Sequence, residues 1–231
     1  MALVPGGLMR EVVLDTETTG LSPENGDRVV EIGCLELANH MATGKTYHCY
    51  VNPEMSMPSA AQDVHGLSDE FLSDKPLFAA VAEDFLSFVG DDPLVIHNAA
   101  FDMGFINAEL RRLDRPPLPD AQAVDTVSMA RQKYPGAPAS LDALCRRFGI
   151  DNSARTLHGA LLDAELLAEV YLELCGGRQP GLILETQETA KRTAAAVQRV
   201  DREPRSFPPT EAEKDAHKSF IERLSDPIWN K

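Results

Sequence analysis

Asp15 and Glu17 stand two residues apart in the run Arg10-Glu11-Val12-Val13-Leu14-Asp15-Thr16-Glu17-Thr18-Thr19-Gly20. Strand side chains alternate faces, so both carboxylates project from one side of a sheet, with Cα atoms roughly 6–7 Å apart. Like charges held that close repel unless a bound divalent cation balances them. Asp-x-Glu also occurs at Asp163/Glu165 and Asp201/Glu203, so the pair needs distant partners to mean chemistry.

Two further segments offer such partners. In Leu94-Val95-Ile96-His97-Asn98-Ala99-Ala100-Phe101-Asp102 a strand turns into a helix, and Asp102 falls in its first turn, where the helix dipole also favours an acid. Phe101 beside it suits a core or a base-stacking position. In His158-Gly159-Ala160-Leu161-Leu162-Asp163, five helical residues amount to about 500°, which leaves the two end side chains about 140° apart. His158 therefore belongs on the loop before the helix, which Gly159 permits, while Asp163 lines the site from inside. His97 and Asp102 share this spacing, so spacing alone does not select the chemical histidine.

Asp15, Glu17, Asp102 and Asp163 make four hard oxygen donors with no histidine or cysteine cluster to select zinc. Such donors suit Mg²⁺ or Mn²⁺. Two such ions about 3.5–4 Å apart can clamp a phosphodiester, activating water on one side and stabilising the leaving oxygen on the other. A nearby histidine can take the water's proton.

The elements that must position these groups follow from patterning. The strand through Asp15, with Val29 to Leu37 and Lys45 to Val51, suggests an antiparallel meander broken at Asn39 to Gly44. Helical periodicity runs from Pro76 to Gly90 and from Phe101 to Leu113, with a brief buried strand at Leu94 to Ile96 between them. Pro116, Pro117 and Pro119 stop the second helix. Ala123 to Asp125 reads as a last strand, followed by helices at Thr126–Tyr134, Ser140–Phe148 and Gly159–Leu174. Strands first, then alternation, gives an α/β or α+β fold with a sheet flanked by helices.

Charge narrows the mode of action. The formal net charge is −14. Residues 176–231 hold 10 Lys+Arg against 9 Asp+Glu, which leaves 12 against 27 in residues 1–175. A body near −15 repels a phosphate backbone, so long nucleic acid is not gripped through a basic face. Nucleic-acid chemistry must work through metal ions, or on a strand end delivered by a partner. Cys34, Cys49, Cys145 and Cys175 lie in apolar or mixed segments without a Cys-x-x-Cys pair, which suggests buried reduced thiols. No run approaches membrane-spanning length, and a cytoplasmic protein is expected.

The three segments, in this order, resemble the motifs of the DEDDh class of 3′→5′ exonucleases, over residues 9–175. That resemblance implies an RNase H-like α/β fold with a mixed central sheet. It assigns Asp15, Glu17, Asp102 and Asp163 to two divalent cations, Mg²⁺ or Mn²⁺, assigns His158 to the general base, and leaves His97 a structural role. Val64-His65-Gly66-Leu67, Ser140-Leu141-Asp142-Ala143-Leu144-Cys145 and the tail are closer still to the proofreading epsilon subunits of bacterial DNA polymerase III. The resemblance makes His65 a substrate contact, with Thr16 and Phe101 as further candidates. The segment Met55 to Asp63 departs from the family pattern, with Ala60 where an acidic contact is expected.

The expected organisation is a leader over 1–8, an exonuclease domain over 9–175, a linker over 176–209 and a C-terminal segment over 210–231. Gln179-Pro180-Gly181-Leu182-Ile183-Leu184 resembles a sliding-clamp-binding peptide, with Gln179, Leu182 and Leu184 as anchors. Thr210-Glu211-Ala212-Glu213 fits a capping box opening a short helix. There Phe220, Ile221, Leu224 and Trp229 resemble the segment that binds the polymerase catalytic (alpha) subunit, while packing back onto the body is the alternative. A tethered exonuclease needs little grip of its own on a frayed DNA 3′ end. Competing readings are a free-standing exonuclease acting on RNA or repair intermediates, a dimeric nuclease, and a non-catalytic adaptor between clamp and polymerase.

Overall fold

Successive residues of β1 (Arg10–Thr18) enter different cores: Val12 and Leu14 join one buried cluster and Val13 joins another. A strand apolar on both faces must be covered on both, and here it is. The computed structural model describes residues 9–153, 155, 157–177 and 208–223. Its sheet has the order β3-β2-β1-β4-β5. β2 (Val29–Ala38) pairs antiparallel with β1, and β3 (Met41–Tyr50) antiparallel with β2. β4 (Leu94–Ile96) runs parallel to β1, and β5 (Ala123–Asp125) parallel to β4. The mixed α/β sheet expected from the sequence is thus present.

One face carries α3 (Phe78–Val89) and α4 (Ala99–Arg112), whose Phe85, Phe105 and Ile106 are fully buried against Leu14, Ile32 and Leu94. The other carries α5 (Thr126–Lys133), α6 (Leu141–Phe148) and α7 (Ala160–Leu174), packed on Val13, Leu37 and Val95. α4 is fixed at both ends. Asp125 of β5 accepts the backbone N–H of Asn98 at 3.1 Å and that of Ala99 at 3.4 Å, capping a helix whose own N-cap side chain makes no bond. Further along, buried Glu109 takes a two-pronged bond from Arg28, at 2.7 and 2.9 Å.

The break expected over Asn39 to Gly44 is only two residues long. Asn39 and His40 have φ of 52° and 66°, the pattern of a tight hairpin, so Met41 to Gly44 belong to β3. Two short helices add to the expected elements, α1 (Ser59–His65) and α2 (Asp69–Leu72). α1 buries only His65 and α2 only Leu72, so neither carries the apolar stripe that marks a helix in a sequence. The thiols also differ from expectation, since Cys34 and Cys145 are buried but Cys49 is half-buried and Cys175 exposed.

The chain divides into two units, Met1–Gly181 and Leu182–Lys231. In the second, Thr210 and Glu213 form the expected capping box and start a helix over Glu211–Ile221. Within it Ile221 is buried and Phe220 exposed. Leu224 and Trp229, the peptide Gln179, Leu182 and Leu184, and the leader 1–8 lie outside the described residues. No described helix is long and apolar enough to cross a membrane.

Candidate active site

The carboxylates converge where β1 ends. Asp15 and Glu17 share the face of Val13, which is the face covered by α7, and Asp163 stands in the first turn of that helix. Asp102 comes from α4 on the opposite face. It reaches the same place because Thr16, which points to that side, donates its hydroxyl to Asp102 Oδ1 at 2.7 Å. Two helices on opposite faces thus deliver one acid each to the two acids of the central strand.

α7 can come this close because β2 carries a glycine opposite Asp15. A Cβ at Gly33 would fall 2.3 Å from the carbonyl carbon of Ala160 and 2.4 Å from the nitrogen of Leu161. Gly159 has a different role from the one expected. Its φ of −153° is ordinary extended backbone and a Cβ there would meet nothing, so the loop conformation at His158 does not depend on it. His158 instead hangs on α1, through its N–H to the Val64 carbonyl at 3.1 Å.

The electrostatics are those of an anionic site only partly offset by Arg155. Burial drives the Asp15 carboxyl well above the usual range, with further push from Asp102, Asp163 and Glu17. Glu17 is raised to about 8, by burial first, then by Asp163 and by Glu31, its partner across the β1–β2 pairing. Asp102 is raised to about 7 by burial, against the pull of the Thr16 hydroxyl. Buried carboxylates that repel one another call for positive charge. Glu17, His158 and Asp163 each offer a ligand atom, and the three atoms lie within 4.8 Å of one another. A set of hard oxygens with one imidazole, beside carboxyls that burial has raised, fits a divalent cation.

The other expected site residues are near but differ in character. His65 ends α1 with 5% exposure, its Nδ1 accepting the Leu67 N–H at 3.0 Å. Its Nε2 is buried without a hydrogen-bond partner of good geometry, although the Thr18 backbone favours the protonated form, and burial holds its pKa down. Phe101 is half-buried, 4.9 Å from Phe105 and packed on the core. His97 makes a bond to the fold: Thr126 donates to the Ile96 carbonyl, so its oxygen accepts from His97 Nδ1 at 2.9 Å.

One residue was not anticipated. Arg155 donates from Nε to Asp163 Oδ1 at 2.5 Å and from Nη2 to Asp163 Oδ2 at 2.6 Å, while Nη2 also meets His158 Nδ1 at 2.6 Å. Its Nη1 is held by Asp142 of α6 at 2.9 Å. A signal was present, because Arg155 is the only Lys or Arg between Arg147 and Arg178, in the segment that carries His158 and Asp163.

A family model described as Exonuclease matches residues 12–171. The DNA polymerase III subunit epsilon of Rickettsia typhi (strain ATCC VR-144 / Wilmington) is 50% identical over 223 residues, covering 94% of this chain and 97% of that protein. The DNA polymerase III subunit epsilon of Escherichia coli (strain K12) is 44% identical over 205 residues, covering 85% and 84% respectively. Among solved structures, the nuclease domain of 3′hExo, a DEDDh family member bound to rAMP, matches with a TM-score of 0.62 at 17% identity, over 74% of this chain and 94% of that one. At such identity the likeness speaks for the fold alone.

Proposed function

The chain belongs to the exonuclease family, among the DNA polymerase III epsilon subunits, and on that premise we propose how it acts as a proofreading 3′→5′ exonuclease. Enzymes of this family use divalent metal ions. In our reading Asp15, Glu17, Asp102 and Asp163 hold two of them, Mg²⁺ or Mn²⁺, and His158 takes the proton of the attacking water. When bound, the ions supply charge for a nucleophilic oxygen and for the leaving 3′ oxygen. The convergence of four carboxylates and one histidine from β1, α4, α7 and the loop before α7 is the observation that carries this reading.

The rest of the site serves the substrate. His65, whose buried Nε2 has no hydrogen-bond partner of good geometry, meets the terminal nucleotide. Thr16 and Phe101 flank Asp102 and complete the proposed contact set. The product is a nucleoside 5′-monophosphate, and the substrate a single-stranded or frayed DNA 3′ end. A frayed end is preferred because its unpairing cost has already been met.

An acidic body grips DNA poorly, so delivery by a partner is part of the proposal. Phe220, Ile221, Leu224 and Trp229 dock on the polymerase alpha subunit, with Trp229 as an aromatic anchor. Gln179, Leu182 and Leu184 meet the sliding clamp. Both would place the protein in the cytoplasm with the replicase. The test is incubation of the full-length protein with a 3′-mispaired primer–template and Mg²⁺ or Mn²⁺. Stepwise release of nucleoside 5′-monophosphates from the 3′ end is expected, and internal cuts or no hydrolysis with either ion would overturn the reading.

A further inference from the structure

Arg155 uses four of its five N–H groups within one small region: two on the oxygens of Asp163, one on His158 Nδ1 and one on Asp142. Its side chain is 9% exposed and that of Asp163 4%. A guanidinium only donates, so Nδ1 of His158 accepts, and the ring then carries its proton on Nε2. A neutral imidazole in that state has no lone pair left with which to take a proton from water. His158 Nδ1 also lies 3.3 Å from Asp163 Oδ2, but it cannot donate there while it accepts from Arg155.

We propose that Arg155 is a built-in counter-cation that latches the site: seated on Asp163 and His158, it withholds a metal-binding carboxylate and the base's free lone pair until it yields them to a divalent cation. The inference rests on the reading of the site given above. Arg155 and a cation need the same oxygens of Asp163, so their occupancies oppose each other. One nitrogen, Nη2, reaches both Asp163 Oδ2 and His158 Nδ1, so a shift of the guanidinium off Asp163 toward Asp142 draws the same atom away from His158. His158 Nδ1 can then carry the proton and donate toward Asp163, which frees Nε2 to act as a base. Asp142, on α6 and half-exposed, keeps hold of Nη1 and marks where the released guanidinium stays tethered. The latch couples ion entry to the arming of the base.

The experiment compares the full-length protein with Arg155→Ala and Arg155→Lys by calorimetric titration with MgCl₂, alongside long-range ¹⁵N–¹H spectra of the histidines. In the cation-free wild type, His158 should show the proton on Nε2, and Mg²⁺ should move it to Nδ1. Arg155→Ala should bind Mg²⁺ on the order of tenfold more tightly, in the range of coupling between competing occupants. Arg155→Lys keeps the charge but cannot fork onto Asp163, so it should also bind more tightly than wild type. Tightening in the alanine variant alone would reduce the effect to net charge and overturn the latch. So would unchanged or weaker binding in both, or a cation-free His158 already protonated on Nδ1. If Arg155→Ala does not fold, Arg155→Lys and the wild-type spectra decide. A wild type that takes up no Mg²⁺ and trims no 3′ end overturns the reading of function instead, which separates the two failures.

Discussion

Gly33 and Ala160 are in backbone contact: a side chain at Gly33 would place its Cβ 2.3 Å from the Ala160 carbonyl carbon. The neighbour is helix backbone rather than a flexible tip, so it cannot turn aside. Gly33→Ala should push the first turn of α7 off β2 and carry Asp163 out of reach of Glu17. We expect a stability loss of about 1–3 kcal/mol, as for overpacked cores, with cation binding lost more completely than the fold. Thermal melting with and without Mg²⁺ checks this, and a variant that keeps its Mg²⁺-induced rise in Tm would contradict it.

Thr16 acts on Asp102 through its hydroxyl, at 2.7 Å, and through its backbone. Thr16→Val keeps the shape and removes the donor that opposes the raised pKa of Asp102. Cation affinity should fall about 10- to 100-fold, as for other groups that support a metal ligand. Titration calorimetry with Mn²⁺ reads the loss directly.

The raised carboxyls give the cation-free protein an unusual pH response. Glu17 titrates near 8 and Asp102 near 7, whereas the same groups in an unfolded chain lose their protons near pH 4. Between those limits the folded form holds more protons than the unfolded form, so stability falls as pH rises. The Tm of the cation-free protein should drop between about pH 5 and pH 8.5, and Glu17→Gln should flatten the slope. A Tm that rises over this window would show that the acids are balanced by something else.

Much of this was legible because the chemistry follows strand periodicity. Asp15 and Glu17 fall on one face by alternation alone, and the angular argument at His158 and Asp163 put the histidine on a loop. The apolar stripes of α3, α4 and α7 marked those helices to within two residues at each end. What stayed hidden depends on contacts between distant segments. Nothing local to Gly33 announces a helix at van der Waals distance, and Glu31 becomes part of the site only through its pairing with Glu17. Arg155 sits in a segment of no periodicity, and its role appears only through its contacts with Asp163 in the first turn of α7.

In the proposed mechanism His158 takes a proton from the attacking water. His158→Ala should cost about 10²–10⁴ in turnover while leaving the protein folded. Single-turnover assays under saturating Mg²⁺ separate this from a binding defect, and a change confined to substrate affinity would argue for a contact role instead.

We propose that Asp15 and Glu17 at the end of β1, with Asp102 and Asp163, hold the ions that cleave a terminal phosphodiester. Asp15→Asn tests it, since it keeps the shape and removes a carboxyl group that burial, then Asp102, Asp163 and Glu17, hold well above the usual range. In a 3′-end hydrolysis assay with Mg²⁺, release of nucleoside 5′-monophosphate should fall about 10³-fold or more, the scale of several kcal/mol of lost charge stabilisation, while the cation-free protein melts no lower than wild type. Near-native turnover in the folded variant would contradict the account.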